Sequence, residues 1–161
     1  SMVNEVTGIK YRLPTEAEWE KGASGEDGRQ YPWGNKWNLE NCLAITGETV
    51  PLFIEASDQD RRDPRPGGQS PFGHCDMSGH IEEWTNTIWG EAESTPDYCY
   101  PYSAADGRED LIPSRFRSNV FRIYRGGKFE MEPQTFTCFS RGCSPDDTAL
   151  FWRGFRVACD Y

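Results

Sequence analysis

The chain has 161 residues and a mass of 18.4 kDa, which suits one domain with its own hydrophobic core. Lys and Arg number 17 against 26 Asp and Glu, so a net charge of -9 argues against nucleic acid or an anionic membrane as the main partner. No apolar run approaches the ~20 residues of a membrane-spanning helix, and the Gly (16), Pro (11) and aromatic (14%) content points to a loop-rich domain pinned by large rings rather than a helical bundle.

Residues 1–10 are short and polar. In Tyr11–Glu20, Thr15 and Glu18 form a capping box, each side chain taking an orphan amide of the first helical turn. The acidic residues 16, 18 and 20 suit the positive end of the helix dipole, and the helix is predicted over 16–23, stopping near Gly25. From 25 to 80 the chain reads mostly as loop. Glu26-Asp27-Gly28 is a turn, Tyr31-Pro32-Trp33-Gly34 a rigid aromatic corner, and 55–70 an exposed charged loop. Phe72–Thr85 is a turn running into a strand, and 86–118 is loop again, with Tyr98, Tyr100 and Tyr102 alternating in a short extended piece. Phe121–Arg125 alternates as a strand should and is followed by Gly126-Gly127. Phe136–Arg141 and Gly154–Cys159 are the next two candidate strands, the last tying the chain's end into a sheet.

Several residues have a physical reading of their own. Arg12 is placed to clamp a carboxylate. Trp19, Trp33 and Trp84 supply rigid packing area, and Phe155 with Trp84 is expected in the core. Arg125 and Arg156 are expected to pair with Glu82, Glu83 or Asp76. Glu82 and Glu83 fall on opposite faces of a strand, which makes them poor partners for joint acid/base work. The cysteines are at 42, 75, 99, 138, 143 and 159, with no CxxC. They read as buried thiols, with disulfides open if the protein is exported; the compartment stays open too. No GxSxG, P-loop, HExxH or dinucleotide signature occurs.

The segments RLPTEAEWE (12–20), YPWGN (31–35), FGHCDMSGHIEEWT (72–85), YRGGKF (124–129) and RGFRVA (153–158), in this order, resemble the formylglycine-generating enzyme (sulfatase-modifying factor) family. The resemblance implies an α+β, C-type-lectin-like fold, loop-rich, with short antiparallel strands and few helices. It also implies a single domain over 1–161 that lacks the family's N-terminal part, completed by another segment or a partner chain. Active members hold copper(I) with a cysteine pair shortly after the Gly-Gly. Counted from Gly126-Gly127, those places fall near Met131 and Phe136; Cys138 and Cys143 have a similar spacing but lie further along. Related ergothioneine-type enzymes need a three-His iron site, whereas this sequence has only His74 and His80. The family's structural calcium points to Asn41, with Asp58 and Asp60 as further oxygen ligands. A second family calcium site uses an Asn that is His80 here, so it is not expected.

The pattern is closest to the variable proteins of diversity-generating retroelements, in which the stretch between RGG and GFR is the ligand-facing surface. Carried over, this makes 128–153 the binding segment, through Glu130, Met131, Glu132, Thr135, Phe136, Thr137, Phe139, Asp147, Phe151 and Trp152. The expected function is a non-catalytic module recognising a protein or other macromolecule. The alternatives are a formylglycine-generating-type copper oxidase using Cys138 and Cys143, and an accessory domain of a larger regulatory protein such as a kinase.

Overall fold

A computed structural model describes residues 2–42, 66–110, 120–128 and 132–160. In chain order the elements are β1 (Met2–Val3), β2 (Lys10–Arg12), α1 (Glu16–Ser24), β3 (Glu82–Gly90), β4 (Phe121–Arg125), β5 (Gly142–Pro145), β6 (Arg153–Phe155) and β7 (Ala158–Asp160), with 3-10 turns at Leu39–Asn41, Pro66–Gly68 and Pro133–Phe136. One helix and short strands among loops give the expected loop-rich α+β class. Among the described residues no helix is long and apolar enough to cross a membrane. The chain divides into two compact units. Ser1–Trp19, Glu82–Arg125 and Arg141–Tyr161 form the first; Glu20–Ile81 and Gly126–Ser140 form the second.

The first unit holds every described strand. β2 pairs antiparallel with β1 on one side and with β7 on the other. A second sheet runs in the order β5-β4-β3-β6, with β3 antiparallel to β4 and parallel to β6. The expected strand over 154–159 is therefore two strands, β6 in one sheet and β7 in the other. Ile88, Tyr98 and Val120 form a buried apolar cluster, and Ile123 is buried as well. Tyr98–Tyr102, expected from its alternation to be a short extended piece, forms no strand and bends at residues 100 and 101. Instead, the loop wraps the buried Arg108, whose guanidinium lies over the Tyr98 and Tyr102 rings and bonds to Asp106. Glu109 then accepts from the Tyr102 hydroxyl at 2.7 Å and from Thr87 Oγ1 at 2.5 Å, so the loop is fastened to β3.

The capping box forms as the sequence predicts. The Glu18 backbone N–H donates to Thr15 Oγ1, and the Thr15 N–H donates to Glu18 Oε2. Arg12 bonds bidentately to Glu18 and also to Asp160 on β7, so its carboxylate clamp joins β2, α1 and β7. Mainly through Arg12, the Glu18 carboxyl is held down at about 2 from an ordinary 4.5. A depressed carboxyl stabilises the fold above its unfolded value, and that contribution disappears as pH falls through the folded one. The melting-temperature gap between wild type and Glu18→Gln should be constant near neutrality and close between about pH 4.5 and 2. A gap that persists undiminished at the acid end would remove Arg12–Glu18 as its cause.

The second unit is built around rings. Gly25, in left-handed conformation (φ +69°), ends α1 where expected. Tyr31 stacks on Trp33 (5.4 Å, 7°), Trp37 meets Tyr31 edge-on, and Phe136 stacks on Trp37 (5.5 Å, 14°). Ala23, Cys42, Met77 and Cys138 are buried in the same unit.

Candidate functional site

The first unit carries a buried ionic cluster as well as its apolar residues. Glu16, in the first turn of α1, is fully buried. Its Oε1 accepts from Arg141 Nε at 2.6 Å and from Arg125 Nη1 at 3.2 Å, and its Oε2 from Arg141 Nη2 at 2.9 Å. Arg141 in turn lies over the rings of Trp89 and Tyr100. Arg125 pairs with Glu16, a carboxylate that the sequence did not single out for it. Glu83 takes Arg156, as expected, together with the Trp19 indole N–H, while Glu82 takes Arg153. Neighbouring carboxylates on β3 point to opposite faces, so each serves its own arginine.

Residues 132–139 belong to the second unit. Glu132 is exposed, and its carbonyl accepts from the Thr135 hydroxyl and N–H, which closes the 3-10 turn. Thr135 and Thr137 are half-buried, the latter hydrogen-bonded to Ser140 at 2.6 Å. Phe139 is 45% exposed. Phe136 overturns its assignment as a ligand contact. Its exposure is 0%, its ring stacks on Trp37, and its carbonyl accepts from the Ser78 hydroxyl. Gly127, at φ +72°, is required beneath it, because a Cβ there would come within 2.9 Å of the Phe136 ring. The strand expected over 136–141 is likewise absent. Pro133 opens a 3-10 turn, and the Cys138 N–H goes to the Gln30 carbonyl.

Asp147, Phe151 and Trp152 belong to the first unit. Asp147 is exposed, Phe151 is 72% exposed, and half-buried Trp152 packs edge-on against Phe151 at 4.5 Å. Phe155 overturns a second expectation. It pairs in register with Trp84 across β6 and β3 but is 63% exposed, because β6 is the outer strand and this side chain faces away from the core. The Tyr31, Trp33 and Trp37 cluster behind Phe136 was not among the predicted site residues. The YPWGN motif and Trp37 carry the signal for it. Glu130 and Met131 lie outside the described residues.

With this geometry in hand, comparison with known proteins is informative. A family model described as the sulfatase-modifying factor enzyme 1-like domain matches residues 2–161. The chain belongs to this family. Its curated relatives include the serine/threonine-protein kinase Pkn1 of Chlamydia trachomatis serovar L2, 28% identical over 94% of this chain and 22% of that protein. The formylglycine-generating enzyme of Mus musculus is 26% identical over 93% of this chain and 39% of that protein. The chain thus spans well under half the length of these two relatives. Among solved structures, Treponema denticola variable protein 1 superposes with a TM-score of 0.58 at 22% identity, covering 96% of this chain and 49% of that one. That likeness establishes the shared fold.

For this sulfatase-modifying-factor-like domain, the metal expectations meet specific geometry. Asn41 ends a 3-10 turn capped by Asn38. Its carbonyl and side-chain oxygens crowd the backbone of Gly67 and Gly68, where any Cβ would overlap them. Asp58 and Asp60 lie outside the described residues. Among the described residues no cluster of three or more His, Cys, Asp or Glu is arranged to hold a metal. All six cysteines are thiols. Cys138 is fully buried in the second unit. Cys143, in the first, is half-buried, and burial with nearby Glu93 pushes its thiol up to about 11.

Proposed function

We propose that this domain is a non-catalytic recognition module whose contacts come from exposed side chains within 132–152. The observation that carries this reading is the division of labour along the segment. Glu132, Phe139, Asp147 and Phe151 are exposed, while Phe136, Cys138, Arg141 and Arg153 are buried in the frame or held there by ion pairs. Side chains that can vary, carried within each unit by a frame that cannot, are the physical requirement of a recognition scaffold. The copper-oxidase reading fits less well. A soft cation needs a pair of converging thiolates, and at the two places where the family's cysteine pair is expected the chain has Met131 and Phe136. The accessory-domain reading is favoured by one observation, that the match to Pkn1 covers only 22% of that kinase. It is compatible with recognition, since an accessory domain can supply the contact.

The test is a combined Glu132→Ala and Asp147→Ala variant read by thermal melt, with a parallel assay of the wild type for copper(I) binding and oxygen-dependent turnover of a cysteine-containing sulfatase peptide. Exposed substitutions cost within ~0.5 kcal/mol each, so the variant should melt close to wild type, and the wild type should give no turnover. Unfolding of the variant, or stoichiometric copper binding with turnover, would reject the module.

A further inference from the structure

We propose that the outer edge of β6 is a docking site for an extended, uncharged polypeptide segment, which adds to the sheet as a further strand. The inference rests on the recognition reading and names the chemistry of the partner.

The sheet order β5-β4-β3-β6 leaves β6 with one neighbour. Residues Arg153, Gly154 and Phe155 pair in register with Glu82, Glu83 and Trp84, and Trp152 extends that ladder by accepting from the Glu82 N–H at 3.0 Å. Among the described residues no strand pairs with the other side. The Arg153 N–H is closed within the chain by the Leu150 carbonyl at 3.1 Å; beyond it the edge presents backbone groups at strand spacing, a pattern matched by another polypeptide strand and not by a sugar or an acyl chain. Protein sheets commonly blunt exposed edges with charge or proline. This one instead carries Phe155 at 63% exposure, flanked by Phe151 at 72% and Val157 at 55%.

The charges around the edge say what kind of strand it accepts. Each ionic side chain on or beside β6 is already neutralised within the unit, Arg153 by Glu82 and Arg156 by Glu83. The edge is therefore locally neutral in a chain of net charge -9. A charged side chain on an incoming strand would be desolvated there without a counter-charge, whereas aromatic or β-branched side chains would pack against Phe151 and Phe155. The strand itself is stiff. Arg153 lies over Tyr124 at 4.0 Å and Trp84 at 4.8 Å, and Tyr124 lies flat on its cross-strand partner Gly142, where a Cβ would overlap the ring.

The experiment selects linear peptides from a phage-displayed random library on the wild-type chain. Binding of a selected peptide is then compared across Phe155→Lys, Phe151→Lys and a backbone N-methylated version of the same peptide. Both side chains are exposed, so each variant should melt like wild type. The expected result is enrichment of uncharged sequences rich in aromatic and β-branched residues, with affinity reduced about tenfold or more by each of the three changes. The proposal is overturned if no peptide is enriched, if selected peptides bind Phe155→Lys as well as wild type, or if N-methylation has no effect. It is also overturned if wild type sediments as a dimer that Phe155→Lys dissolves, which would assign the edge to a second copy. Selected peptides that depend on Thr135 or Asp147 but not on Phe155 would sink this proposal and leave the recognition reading standing.

Discussion

Glu16→Ala is expected to cost about 3–5 kcal/mol, because it removes the buried carboxylate that Arg125 and Arg141 share. Glu16 and the Arg125 side chain are both at 0% exposure, and Arg141 is mostly covered. Both guanidiniums would stay charged without the carboxylate that binds them, and neither is placed to recover full hydration. A domain of this size is held by about 5–15 kcal/mol in all, so a loss of that order should leave it largely unfolded or melting far below wild type. Glu16→Gln keeps the shape and one acceptor oxygen and should fall in between. Chemical denaturation of the two variants checks the ordering. If Glu16→Ala loses no more than about 1 kcal/mol, the cluster is not what anchors α1 to this unit.

Phe136→Ala should cost about 3–5 kcal/mol, as deletion of a buried aromatic ring does, whereas Phe139→Ala, three residues on, should cost clearly less, about 1–2 kcal/mol at most. The first removes the ring between Gly127 and Trp37. The second removes one that is 45% exposed. Because both sit in one short stretch, their melts divide scaffold from surface. Equal costs would mean that the segment is structural throughout.

The local signals in the sequence were readable because their physics is local. The Thr15–Glu18 box, the Gly25 stop and the alternation of Phe121–Arg125 each depend on residues within a turn or a strand of one another, and all three form. The family resemblance, carried by motifs scattered from 12 to 158, supplied the rest of the fold class. Choice of partner was legible only in part: Arg156 took Glu83, one of the carboxylates expected for it. Arg125 had several carboxylates in range by sequence and took Glu16, which lies 109 positions away. Phe136–Arg141 alternates like a strand, but Pro133 and the Gln30 carbonyl impose a turn. Phe155 looked like core because it is aromatic and in a strand. Its exposure follows from β6 lying outermost in the sheet, which is a fact of topology and not of the residue. In the predicted binding segment, composition alone could not tell the buried ring at 136 from the exposed rings at 139 and 151.

The Arg12 clamp has a consequence for synthesis. Arg12 meets Asp160 across 148 positions, and β2 has β7 as its neighbour. At about 5–20 residues per second on the ribosome, the first of these strands waits roughly 7–30 s for the other to be made. Until then, among the described residues, β2 has β1 on one side and an open edge on the other, and the loop that must close spans 148 positions, whose closure costs entropy before any contact offsets it. β7 is therefore the strand that completes β2, and the edge of β2 stays open during that interval.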